Sequence, residues 1–185
     1  MRKLLLALGC ALLAACATTG QGPVPTSLAT MTRWQVDGKI AIRFGNESQS
    51  GYLNWQQHTP DYTIRLSGPL GQGASTLTRS GDQVTLEADG RTLSAGSAEE
   101  LMQTSLGWSF PVSEMHWWVR GLASPNYEVD AQQMNTNGQL AELQQQGWTI
   151  EYLRYQPLEN LSLPYKLVAS RDQLRLTLIL KNWQF

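Results

Sequence analysis

The chain has 185 residues, enough for one domain with a substantial core. Hydrophobic residues make up 42% and charged residues 16%; the charged share is below the usual quarter, which excludes a charge-rich disordered chain. A formal net charge of −1 excludes a surface built to neutralise phosphates, so no nucleic-acid partner is expected.

Met1-Arg2-Lys3 precede an uncharged run from Leu4 to Ala15. A basic start followed by a short apolar stretch reads as a secretory signal over residues 1–15, too short to anchor in a bilayer by itself. The run ends Leu13-Ala14-Ala15-Cys16. It resembles the lipobox of bacterial lipoproteins, in which the cysteine thiol carries a thioether-linked diacylglyceryl group, so Cys16 is the expected lipidation site. The alternative is a chance cysteine beside a plain cleavage site. Cys10, with fewer apolar residues before it, is the weaker candidate. Both cysteines then lie outside the fold, which suits an oxidising compartment. Ala17 stands where an Asp retains enterobacterial-type lipoproteins in the inner membrane. The expected destination is therefore the outer membrane, facing the periplasm.

Residues 16–30, the cysteine and then ATTGQGPVPTSLAT, have no period and little to bury, and read as a flexible tether. The domain is expected over residues 31–185. From Trp34 to Phe44 apolar and polar residues alternate, which predicts a strand with one apolar face. Gly45-Asn46-Glu47 turns it. A second strand passes through Tyr52 and Trp55, His58-Thr59-Pro60-Asp61 turns again, and Tyr62, Ile64 and Leu66 mark a third. Gly68 to Gly73 is a loop. Leu77, then Val84, Leu86 and Ala88, continue an antiparallel meander with turns at Ser80-Gly81-Asp82 and Asp89-Gly90-Arg91.

The middle is helical. Ser97-Ala98-Glu99-Glu100 reads as a capping box, and Gly107 can close that helix. Ser113 is the expected cap of a second short helix carrying Met115, Trp118, Val119 and Leu122. Strands then return as two hairpins. One pairs Leu140–Gln145 with Trp148, Ile150 and Tyr152 across Gln146-Gly147. The other pairs Leu163–Ser170 with Leu174 to Leu180, and Trp183 lies just beyond.

The fold class expected is mainly β: one curved antiparallel sheet forming an unclosed barrel, with a short α-helical lid. Two short helices cannot cover so wide an apolar face. An apolar cavity is therefore expected between sheet and lid, lined by Ile40, Ile42, Trp55, Ile64, Leu66, Leu86, Leu101, Trp118, Trp148, Leu176 and Leu178. A packed β-sandwich is the alternative.

Residues for chemistry are scarce. His58 sits in a polar turn and His116 in a helix beside two tryptophans, neither with a carboxylate at ligand spacing. No serine stands in a nucleophile elbow. Gly71-Gln72-Gly73-Ala74-Ser75 lacks the lysine and the strand-to-helix context of a phosphate loop. Glu99 and Glu100 read as first-turn acids favoured by the helix dipole. No catalytic residue, metal site or cofactor is expected. Two placements stand out. Pro69, Leu70 and Gly71 describe a loop tip presenting a leucine, with a buried loop anchor as the alternative. Trp117 and Trp118 point about 100° apart on a helix, so only one can face the sheet.

These residues resemble the outer-membrane lipoprotein receptor family LolB. The matching stretches are Trp34 with Gly38-Lys39-Ile40-Ala41, Trp55-Gln56-Gln57, Gly68-Pro69-Leu70-Gly71, and Leu106-Gly107-Trp108 with Pro111-Val112. They continue with Trp117-Trp118-Val119-Arg120-Gly121, Gln146-Gly147-Trp148, Leu163-Pro164 and Asn182-Trp183. The resemblance implies a half-barrel with a helical lid and an apolar cavity. It implies a receptor that accepts acylated lipoproteins from a LolA-like periplasmic carrier and inserts them into the inner leaflet of the outer membrane. A monomer is expected, with the loop at Pro69-Leu70-Gly71 serving delivery to the membrane. The alternative function is a structural envelope lipoprotein whose solid β-core serves protein interaction.

Overall fold

The computed structural model describes residues 25–71 and 73–185; the signal peptide and Cys16 lie outside the described residues, as does the side chain of Leu70. Eleven strands build one sheet. In chain order they are β1 (Arg33–Phe44), β2 (Glu47–His58), β3 (Asp61–Ser67), β4 (Ser75–Ser80), β5 (Gln83–Ala88), β6 (Arg91–Ala95), β7 (Ala131–Met134), β8 (Leu140–Gln145), β9 (Trp148–Leu158), β10 (Leu161–Arg171) and β11 (Leu174–Gln184). Their spatial order is β6-β5-β4-β3-β2-β1-β11-β10-β9-β8-β7, antiparallel throughout. Every strand pairs with a sequence neighbour except where β1 meets β11 in the middle. Among the described residues strands β6 and β7 remain as free edges, so the barrel is not closed. This is the half-barrel that the pattern predicts, and a two-sheet sandwich is excluded.

Helices α1 (Ala98–Leu106) and α2 (Val112–Trp118) lie between β6 and β7 in the chain. As expected, the Ser97 hydroxyl accepts from the Glu100 N–H at 3.1 Å and Gly107 closes α1 in the left-handed region at φ 75°. Ser113 does not cap α2. Pro111 occupies that place, and Ser113 sits inside the first turn. Its N–H and hydroxyl both donate to the Glu99 carboxylate of α1, at 3.3 and 3.2 Å. The acid of one helix thus serves an orphan amide of the next. Three further details differ from the sequence reading. Strands β6 and β7, which carry no alternating apolar face, are not among the strands that the sequence predicts, Val119 and Leu122 fall beyond α2, and Trp183 lies within β11 after a register shift.

The sheet curls where side chains are missing. Gly38 and Gly51 stand on the inward face of adjacent strands. A Cβ at Gly38 would lie 2.1 Å from the Ile179 carbonyl oxygen, and one at Gly51 2.6 Å from that of Ser67. Glycine therefore allows the backbone approach that a tight bend demands. The inward positions of β1, Trp34, Val36, Ile40 and Ile42, face Trp55 and Leu53 on β2 and Leu176, Leu178 and Leu180 on β11. Trp34 is 5.3 Å from Trp55 and 5.2 Å from Trp183, forming a solid aromatic end. Burying one such ring contributes about 4–6 kcal/mol at the usual area coefficient.

Candidate functional site

The half-barrel has two unlike ends, set by the direction of β1. At its start, Leu28–Thr30 forms a 3-10 turn, and Met31 and Trp34 are buried. Arg120, itself 1% exposed, holds this root. Its guanidinium donates to the carbonyls of Leu28 at 2.7 Å, Met31 at 2.9 Å and His116 at 2.8 Å. Burial lowers its pKa to about 10. The Trp117 ring lies 4.5 Å below it, so Trp117 packs on the arginine while Trp118 turns inward.

The end of α2 is pinned to the sheet by polar groups. Gln145 is fully buried and uses all its capacity. Its carbonyl accepts from the Trp118 indole and the Ser124 N–H, both at 3.0 Å, and its amide donates to the carbonyls of Ser124 and Tyr127, both at 2.8 Å. The Tyr152 hydroxyl donates to the Trp118 carbonyl at 3.1 Å. The buried Glu114 carboxylate accepts from the Ser124 hydroxyl and the Asn126 amide. Helix α1 is held differently. Ala98, Leu101 and Met102 pack apolar surface against β5 and β6, and Glu99 ties it to α2.

At the far end of β1 the core opens. Phe44 is 38% exposed and lies 6.3 Å from Trp108 of the connector between helices, which stacks 6.1 Å from Phe110. One cleft of about 320 Å³ runs between Phe44, Trp108 and Arg171-Asp172. A second, of about 340 Å³, is lined by Ile40, Ile42, Gln49, Leu66, Ser75, Gly68 and Gly73, on the inward face of β1 to β4. The 68–73 loop therefore borders that cleft directly. Pro69–Gly71 is a 3-10 turn in which Pro69 and Gly71 are exposed. A Cβ at Gly71 (φ 76°) or Gly73 (φ 59°) would meet nothing within 4 Å, so these glycines serve backbone conformation.

The eleven predicted lining residues all join one cluster. Ile40, Trp55, Ile64, Leu101, Trp118, Trp148, Leu176 and Leu178 are buried in it, and Ile42, Leu66 and Leu86 are half-buried against it. Of these, Ile40, Ile42 and Leu66 border the inward cleft. The other eight are packed in or against the core and do not line the cleft. The sequence reading missed the aromatic row Phe44, Trp108 and Phe110. It also missed the latches Arg120 and Gln145; Arg120 has a visible signal, a long polar side chain inside an otherwise apolar run, whereas Gln145 stands within the Gln144-Gln145-Gln146 triplet and has none. His116 points its Nδ1 at the Ser113 carbonyl at 2.7 Å. Burial lowers its pKa to about 4, with the Ser113 hydrogen bond opposing.

The sequence profile of a family described as Outer membrane lipoprotein LolB matches residues 32–183. A protein named Outer-membrane lipoprotein LolB in Stutzerimonas stutzeri is 41% identical, across 94% of this chain and 90% of its own. The protein of the same name in Pseudomonas paraeruginosa is 40% identical, across 100% of this chain and 96% of its own. Among solved structures, a LolA superfamily protein of Nitrosomonas europaea has a TM-score of 0.54 at 7% identity, covering 84% of this chain and 87% of that one. A DUF1329 family protein of Desulfovibrio piger has a TM-score of 0.51 at 7% identity, covering 85% and 87%. These two likenesses concern the fold.

Proposed function

We propose a mechanism on one premise: the chain belongs to the outer-membrane lipoprotein LolB family, is lipid-anchored facing the periplasm, and serves lipoprotein localisation. In this reading Cys16 carries the anchor. The domain, acting as a monomer, accepts the acyl chains of a lipoprotein from a soluble LolA-like carrier and releases them into the inner leaflet of the outer membrane. The observation that carries the reading is the inward cleft. Buried Ile40 and half-buried Ile42 and Leu66 offer it apolar surface, Ser75 and Gln49 rim it, and the 68–73 loop borders it.

The chemistry suits reversible holding. Each methylene hidden from water is worth about 0.8 kcal/mol, so an acyl chain cannot travel exposed. Apolar burial is non-directional, and a chain held without fixed polar partners can slide onward into a bilayer. Helix α1 and the connector are the parts able to give way, since apolar contacts and one carboxylate hold them. Helix α2 stays, latched by Gln145, Tyr152 and Arg120. Swinging α1 aside enlarges the cleft toward Leu101 and Leu86. The free edges β6 and β7 let the sheet flex as it fills.

The test fills the cleft. Ser75→Trp places a large ring between Leu66 and Ala88, the two inward partners of Ser75. Transfer of a lipoprotein from a preformed carrier complex to the lipidated chain is then followed. The variant is expected to fold, with an unchanged circular dichroism spectrum, and to accept no cargo. Unimpaired acceptance by a folded Ser75→Trp chain would leave the alternative, a structural envelope lipoprotein. The dense packing of Trp118, Trp148, Leu176 and Leu178 favours that second reading.

A further inference from the structure

The outward face of the sheet has a charge pattern that acyl-chain handling does not use. Strand register puts Arg33, Lys39 and Arg43 of β1, Lys166 of β10, and Arg175 and Lys181 of β11 on the side away from the core. Strands β2, β10 and β11 bring no outward carboxylate, and β1 brings Asp37 alone, which stands across from Lys181 and accepts a 2.6 Å hydrogen bond from Asn54. From β9, Glu151 reaches Arg175 at 3.7 Å. The chain as a whole is slightly acidic, so these cations are concentrated here. Among them lies a groove of about 260 Å³ lined by Lys39, Ala41, Tyr52, Thr177 and Ile179, with Pro69 of the loop at its edge. Tyr52 is 54% exposed, and the Lys39 ammonium stands 5.6 Å from its ring centroid.

We propose that this convex face of β1, β2, β10 and β11 is the surface on which the domain rests against anionic phospholipid. Cations attract the headgroups, and a tyrosine ring with an apolar groove beside it suits the interfacial layer. The length of chain outside the structure argues for the same posture. The tether root is fixed by Arg120 beside the start of β1, whereas the 68–73 loop lies toward the other end. The twelve residues of β1 span about 40 Å. From Cys16 to Leu28 the chain reaches about the same distance when fully extended. A domain standing on its open end would need that tether taut. Lying on its convex face, it keeps root and loop both at the membrane with slack to spare.

The experiment reconstitutes the lipidated chain in vesicles and attaches a fluorophore to Ser50→Cys, exposed on the convex side, or to Gln103→Cys, exposed on α1. A nitroxide on lipid headgroups is the quencher. Ser50 should be quenched in vesicles of phosphatidylethanolamine with phosphatidylglycerol and much less in phosphatidylcholine; Gln103 should be quenched in neither. Lys39→Glu with Lys166→Glu should keep the melting temperature and lower the quenched population, about fivefold for each cation removed. Equal quenching at both sites, indifference to phosphatidylglycerol, or indifference to the charge reversals overturns the proposal. So does protection of Ser50 that requires an added acidic protein instead of lipid. A failure of cargo transfer by Ser75→Trp leaves this readout untouched, so the two readings are tested apart.

Discussion

Arg120→Met removes a charge that the fold has enclosed and leaves its acceptors behind. The arginine is 1% exposed and donates to three carbonyls between 2.7 and 2.9 Å. Among the described residues no carboxylate is one of its hydrogen-bond partners. Its compensation is the carbonyl end of α2, the two root carbonyls and the Trp117 ring. Methionine keeps much of the volume and none of the donors. Hydrogen bonds to charged groups are worth about 1.5–3 kcal/mol each. They are not additive, because water reaches some of the freed carbonyls; breaking a buried charged arrangement usually costs about 3–5 kcal/mol. For a domain of this size that is roughly 6–20 °C of melting temperature.

Urea unfolding followed by tryptophan fluorescence measures the loss, and amide exchange locates it. The Thr30 and Met31 amides, bonded to the carbonyls of Ser27 and Leu28, should lose protection before the sheet does. Arg120→Lys should fall between parent and methionine variant, since a single ammonium cannot span a fork's worth of acceptors. A methionine variant melting within about 2 °C of the parent would refute the reasoning, by showing that the root carbonyls find water at little cost.

Three further outcomes are expected. An unfolded histidine gains its proton near pH 6.5, whereas His116 in the fold resists until about pH 4. Stability is therefore full above pH 6.5 and falls as pH drops through that window; His116→Gln should flatten this part of the melting curve against pH, and identical parent and variant curves would contradict it. Gly38→Ala drives a Cβ onto the Ile179 carbonyl, so β1 and β11 must part, at about 1–3 kcal/mol by thermal unfolding. Leu70→Glu, if the tip enters the leaflet, should keep the melting temperature and cargo acceptance but lose release into liposomes; a lowered melting temperature with every step impaired would mean a buried anchor instead.

The strands that were legible in the sequence are those with one wet face and one dry face. The run from Trp34 to Ile42 alternates because β1 lies mid-sheet with core on one side only. Gln146-Gly147 announced its hairpin because both residues need positive φ, 54° and 71°. Strands β6 and β7 were silent for the opposite reason. They are edges, β7 is exposed throughout, and neither has a buried stripe to create alternation. Ser113 misled because serine before an apolar run is a cap signal, whereas here the capping carboxylate comes from Glu99, fourteen residues earlier. Periodicity reads only local partners.

The candidate site divided along the same line. Alternation marks which side chains face inward, and all eleven predicted lining residues do join the core cluster. It carries no information on where the inward space is filled. That depends on long-range fit: Trp34, Trp55 and Trp183 meet at one end from three strands, while the small side chain of Ser75 leaves space beside Ile40, Ile42 and Leu66 at the other. The asymmetry has a mechanical consequence. A core packed solid at the root holds the curvature of the sheet and gives α2 a fixed seat. The open end, built of glycine, serine and half-buried aliphatic residues, has little packing to lose when its contents change. Stability and adaptability are thus separated along β1, and Arg120 at one end is tested by melting whereas Ser75 at the other is tested by transfer.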